Sequence, residues 1–64
     1  MKNLRFVISL TDKEYNSYYI ADYNAKTNLI HKALSFKDEE TAKNYIFLNI
    51  NKENYINFKL IPII

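Results

Sequence analysis

The chain contains no cysteine, no glycine and no tryptophan, and it has one proline, one histidine and one arginine among 64 residues. Without cysteine there are no disulfides and no thiolate metal sites, and the composition fits a reducing compartment, so a cytoplasmic location is expected. Without glycine there is no phosphate-cradling loop, which removes both common nucleotide fingerprints. A lone His31 cannot build a zinc site unless several carboxylates are brought beside it, so no metal and no other cofactor is expected. A nucleic-acid footprint normally shows clustered basic residues and several arginines. Here Arg5 stands alone, lysines and acids alternate along the chain, and the formal charge is only +2. No apolar run approaches the roughly 18 residues of a membrane span. The start, Met1 to Leu10, has a charged end and an apolar stretch, but polar Thr11-Asp12-Lys13-Glu14 follows, so no signal peptide is expected.

What is present is dense apolar and aromatic material: 48% hydrophobic and 16% aromatic residues, including six tyrosines and four phenylalanines. That composition belongs to a folded domain. A chain of this length makes one compact domain over residues 1–64, and domains this small bury only about 60% of the surface their unfolded chains expose. With no staple available, aliphatic packing or oligomerisation has to supply the stability.

Leu4, Phe6, Ile8 and Leu10 alternate with Arg5, Val7 and Ser9, the period of a strand. Ser17 to Tyr23 is rich in strand formers. Asn24 to Asn28 reads as a turn, with Asn24 and Asn28 suited to left-handed backbone. Leu29 to Phe36 reads as a third strand. Asp38 is then an N-cap, Glu39 and Glu40 complement the helix dipole, and Ala42, Ile46 and Ile50 recur at helical spacing up to a stop near Asn51. Ile56, Phe58 and Leu60 alternate as a fourth strand, with Pro62 ending it or placing it on an edge. The expected fold is therefore α+β: a three-stranded antiparallel meander, one helix packed on the sheet, and a C-terminal fourth strand. The element order is β-β-β-α-β and the spatial order 4-1-2-3, with the fourth strand parallel to the first and third.

Catalytic chemistry finds little footing. His31 is the only imidazole, and a nucleophilic set needs three groups converging. Asp22 sits among aromatic neighbours, where burial would raise its pKa, yet it reads more simply as an outward strand carboxylate. No enzyme is expected. The tyrosines offer more, because tyrosine supplies contact area at small entropic cost and is enriched at binding hot spots. Tyr19 and Tyr23 share a strand face. Phe47 and Leu48 fall off the Ala42-Ile46-Ile50 stripe, so the helix end is apolar over most of its circumference. These four residues are the candidate partner-binding set. The alternative is a single-stranded nucleic-acid module, in which Tyr19 stacks bases and Arg5, Lys32 and Lys59 meet phosphates. The same surplus of apolar surface, with the Ile61-Pro62-Ile63-Ile64 tail, predicts a homodimer joined through helix ends or through the free edge of the third strand.

One passage also carries a resemblance. Tyr18 and Tyr19 in a tyrosine-rich strand, Ala33 and Phe36 before the helix, and Glu39, Glu40 and Ala42 at its start together resemble small uncharacterised proteins of bacteriophages and mobile elements in low-GC bacteria. That resemblance spans nearly the whole chain. It implies a viral or mobile-element protein that binds a host protein in the host cytoplasm. Inhibitors of host defence, such as anti-CRISPR proteins, are among such proteins. It supplies no functional residue.

Overall fold

A computed structural model describes residues 4–22 and 25–63. The chain forms strands β1 (Arg5–Asp12), β2 (Ser17–Ile20), β3 (Lys26–Thr27) and β4 (Ser35–Phe36), helix α1 (Glu39–Asn49) and strand β5 (Tyr55–Ile63), with single 3-10 turns at Ile30–Lys32 and Lys52–Asn54. It is an α+β fold with one helix on a curled antiparallel sheet. Among the described residues there are five strands rather than four, and the order differs from the expected 4-1-2-3.

β1 organises everything. Ser9, Leu10 and Thr11 pair with β2, while Phe6 and Val7 pair with β4. β2 and β4 thus share one flank of β1, and β5 runs along the other flank for its full length. The last strand does lie against the first, but antiparallel to it. The reason lies in Leu29 to Phe36, which is not one strand. Ile30–Lys32 coils into a 3-10 turn between β3 and β4. β3 is antiparallel to β2 and so runs with β1, whereas β4 runs against β1. The chain reverses inside the segment that alternation marks as continuous. β5 is parallel to β4, as a helical crossover requires, and so it opposes β1.

The core lies between α1 and one sheet face. Ile8 and Leu10 of β1, Ile20, Phe36, Ala42 and Ile46 are buried together, with Leu34, Tyr45, Ile50, Tyr55, Phe58 and Leu60 packed around them. The helix begins where the sequence places it: the Asp38 carboxylate accepts the Thr41 N–H at 2.8 Å. Hydrogen bonding to the Thr41 side chain, and after it this backbone bond, favours the ionised form and holds the Asp38 carboxyl below its ordinary pKa. The helix ends with Asn49, and Ile50 caps it by donating its N–H to the Ile46 carbonyl.

Between Thr11 and Asp12 the β1–β5 register shifts, because Thr11 pairs with Asn57 and Asp12 with Tyr55. Ile56 is the extra residue of a β-bulge. The bulge resets alternation and turns Tyr55 onto the core face, where its ring meets Phe58 edge-on at 5.8 Å. Lys26, on the same face at the opposite edge of the sheet, reaches both Tyr18 (5.4 Å to the ring centroid) and Tyr55 (5.1 Å). Hydrogen bonding to Tyr55 raises the Lys26 pKa. One lysine thereby ties the two outermost strands together across the curl.

The β1–β2 connection is held by Asp12, whose carboxylate accepts the N–H groups of Glu14 and Asn16, each at 2.9 Å. The bond from Asn16 is the main reason that the Asp12 carboxyl lies below its ordinary pKa. The turn requires a left-handed residue. Of the described residues Tyr15 alone has positive φ, at 66°. Asn28 does not take that conformation, and Asn24 lies outside the described residues. A non-glycine residue in this region costs about 1–2 kcal/mol, against the roughly 0.5–1 kcal/mol that glycine loses in chain entropy. Tyr15→Gly is therefore expected to stabilise the fold by about 0.5–1 kcal/mol. A urea titration should show a higher midpoint at unchanged slope, and a lower midpoint would mean that the exposed Tyr15 ring contributes packing.

Candidate functional site

The helix-covered face and the opposite face of the sheet are chemically different. Alternation places Ile8, Leu10 and Ile20 toward α1 and sends their neighbours the other way. The outer face carries Arg5, Val7, Ser9 and Thr11 from β1, and Ser17 and Tyr19 from β2. Thr27 and Ser35 join them from β3 and β4. From β5 come Asn57, Lys59, Ile61 and Ile63.

Two of the expected sets meet the structure differently. Ser9 pairs with Tyr19 on one side and with Lys59 on the other. Tyr19 and Lys59 thus flank Ser9 in one row across the sheet, about 10 Å apart at strand spacing. Arg5 lies on the same face four residues along β1. Its guanidinium donates to the Ser35 hydroxyl at 2.8 Å and to the Ser35 carbonyl at 3.1 Å. That tie lies beside Val7, whose register partner is Ser35 and which is fully buried. Lys32 is exposed in the 3-10 turn, not on a strand of this face. Three of the four residues of the nucleic-acid set are therefore gathered, and Lys32 is not shown with them.

The partner-binding set is divided. Tyr19 is half-buried on the outer sheet face, whereas Phe47 and Leu48 project from the helix that covers the inner face. Tyr23 lies outside the described residues. Phe47 is 74% and Leu48 75% exposed, so neither tucks beneath the returning chain. The Lys52 ammonium stands 5.7 Å from the Phe47 ring centroid, a cation–π contact that leaves the rest of the ring bare. Of the tail, Ile61, Pro62 and Ile63 belong to β5, and Ile64 lies outside the described residues.

His31 and Asp22 are both exposed. Among the described residues no three His, Asp or Glu side chains gather into a metal-binding group. Among the described residues no helix is long and apolar enough to cross a membrane. What sequence reasoning missed at the outer face was its hydroxyl content. Thr27 falls in the stretch that the sequence reads as a turn, and Thr11 in the polar stretch after the first strand; only the register shows that they share a surface with Ser9 and Ser17. Comparison with family models, with characterised proteins and with solved structures finds no match.

Proposed function

We propose that this chain is a small non-enzymatic protein-binding module that docks through the C-terminal end of α1, with Phe47 and Leu48 at the centre of contact. The observation that carries this reading is their exposure: two large apolar side chains stand in solvent at adjacent positions, while Ala42 and Ile46 of the same helix are buried. Covering each contributes roughly 1.5–3 kcal/mol, and nothing in the packing of α1 needs them apolar. The reading extends to a protein of phage or mobile-element origin, acting in the host cytoplasm on a host protein that it modulates or inhibits, with defence components as the class that the resemblance implies. The same surface on a second copy would make a two-fold homodimer through helix ends. The edge of the third strand no longer offers that route, because the residues concerned form a 3-10 turn and the β4 pairing with β1.

Phe47→Glu and Leu48→Lys sit in solvent, so each should change stability by less than about 0.5 kcal/mol. Affinity capture from host lysate is expected to retain a partner on the wild-type chain and to lose it on the double variant. Sedimentation across a wide concentration range reads self-association separately, and the double variant is expected to stay monomeric where the wild type does not. A double variant that keeps the same partner and the same sedimentation would sink the assignment of this surface.

A further inference from the structure

We infer that the outer sheet face is a second binding surface, distinct from the helix end, and that its ligand is a short stretch of single-stranded nucleic acid. None of the strand positions on this face is acidic, while Arg5 and Lys59 are both on it. The other seven basic residues of the chain are matched in number by its seven acidic ones. The strand positions of this face thus carry a formal charge of +2 with no acid among them.

The spacing fits a strand of nucleotides. Arg5 and Ser9 are four residues apart on β1, about 13 Å in an extended strand, and Lys59 lies beside Ser9. The two cations therefore sit about two nucleotide steps apart, at phosphate-to-phosphate scale. Tyr19, across Ser9 from Lys59, offers a ring on which a base between them can stack, as on other aromatic sheet platforms. Ser9, Thr27 and one member of the Thr11–Ser17 pair, whose hydroxyls bond each other at 3.2 Å, add hydroxyls able to donate to phosphate and sugar oxygens. The Arg5 hydrogen bonds to Ser35 hold the guanidinium in place and leave its remaining N–H groups for a ligand. The apolar residues of this face, Val7, Ile61 and Ile63, are buried or half-buried, so a protein partner would find fewer solvent-exposed apolar anchors here than at Phe47 and Leu48. A duplex, which hides its base faces, could not use Tyr19.

Fluorescence anisotropy with a labelled 12-nucleotide oligothymidylate tests this on the intact chain, from 20 to 200 mM salt. Two phosphate contacts give a log–log salt slope of about −1.4, an affinity loss of about 25-fold over that range. Lys59→Glu should weaken binding at least tenfold and bring the slope to about −0.7. Tyr19→Ala should weaken it at least fivefold without changing the slope. Lys43→Glu makes the same charge change on the exposed side of α1 and should alter affinity less than twofold. Equal losses in Lys59→Glu and Lys43→Glu would mean charge-driven binding without a site and would overturn the inference. So would tighter binding to a duplex of the same length, or no binding at 20 mM salt. The Phe47→Glu, Leu48→Lys double variant should bind the oligonucleotide as the wild type does, so the two surfaces stand or fall separately.

Discussion

Replacing Ile8 by alanine is expected to leave the chain mostly unfolded at room temperature. Ile8 lies at the middle of β1, is fully buried, and belongs to the cluster formed with Leu10, Ile20, Phe36, Ala42 and Ile46. It pairs with Leu60 of β5, so it stands where the helix layer and the central strand of the sheet meet. Truncating a buried isoleucine to alanine costs about 2–5 kcal/mol, the loss growing with the cavity that remains. A core in a domain of this size supplies no more than about 3–5 kcal/mol of net stability unless something staples it. There is no disulfide here to limit the unfolded state. Far-UV circular dichroism with a urea titration would show a lost or strongly lowered transition. Ile56→Ala provides the contrast, because Ile56 is the exposed bulge residue and its loss should shift the midpoint little. A cooperative transition near the wild-type midpoint in Ile8→Ala would mean that the core is stabilised from elsewhere.

The parts of this fold that were legible in the sequence are those decided by neighbours in the chain. Asp38 caps α1 because a carboxylate three residues ahead of Thr41 can reach its N–H whatever the rest of the protein does. β1 is legible because Phe6, Ile8 and Leu10 alternate with Arg5 and Ser9, although Val7 among them is buried as well. The third strand was misread because alternation cannot see partners. β2 pairs with β1 over only Ser9 to Thr11, which leaves the first half of that flank of β1 unpaired. The chain turns at Ile30–Lys32 to fill the vacancy with Ser35 and Phe36, and the Leu34 N–H donates to the Ile20 carbonyl on the way. The demand for that turn comes from the mismatch in strand length between β1 and β2, which no local pattern encodes. The direction of β5 follows from the same reversal.

The candidate surfaces divide in a similar way. That Phe47 and Leu48 fall outside the buried stripe is a property of helical periodicity, and the structure leaves both in solvent. That Tyr19, Lys59 and Arg5 share a face is a property of register across three strands. The register passes through the bulge at Ile56, which sets how Tyr55 and the first residues of β5 meet Asp12. A lysine forty residues from a tyrosine in the chain becomes its near neighbour only through a common partner, Ser9.

Replacing Pro62 by valine is expected to turn the chain into a self-associating one. The direction of each β5 backbone group follows from β1. The Asp12 N–H donates toward β2, to the Asn16 carbonyl at 2.9 Å, and in a regular strand the backbone groups of alternate residues point to the same side. The even-numbered residues of β1 therefore face β2 and β4, and the odd-numbered ones face β5. Through the observed register, Asn57, Lys59, Ile61 and Ile63 bond to β1, while Phe58, Leu60 and Pro62 turn their backbone groups to the free edge of β5. Pro62 costs the β1–β5 ladder nothing, because its missing donor would have pointed outward, and it spoils that edge for anything else. At the other end the bulge at Ile56 interrupts the edge. Two copies can still be imagined pairing antiparallel about Lys59, but this sets like charges directly opposite one another. Pairing about Leu60 avoids that clash by placing Lys59 against Ile61, and then Phe58 needs the N–H that Pro62 lacks. Valine supplies that donor, has high strand propensity, and leaves the register about Leu60 fully bonded. Sedimentation of Pro62→Val in the Phe47→Glu, Leu48→Lys background isolates this edge from the helix end, and the expected result is a dimer that forms at concentrations where the background variant is monomeric. Adding Leu60→Pro should restore the monomer, provided that circular dichroism shows the fold intact. A monomer in Pro62→Val at all concentrations would mean that the bulge and Lys59 close the edge without help from the proline.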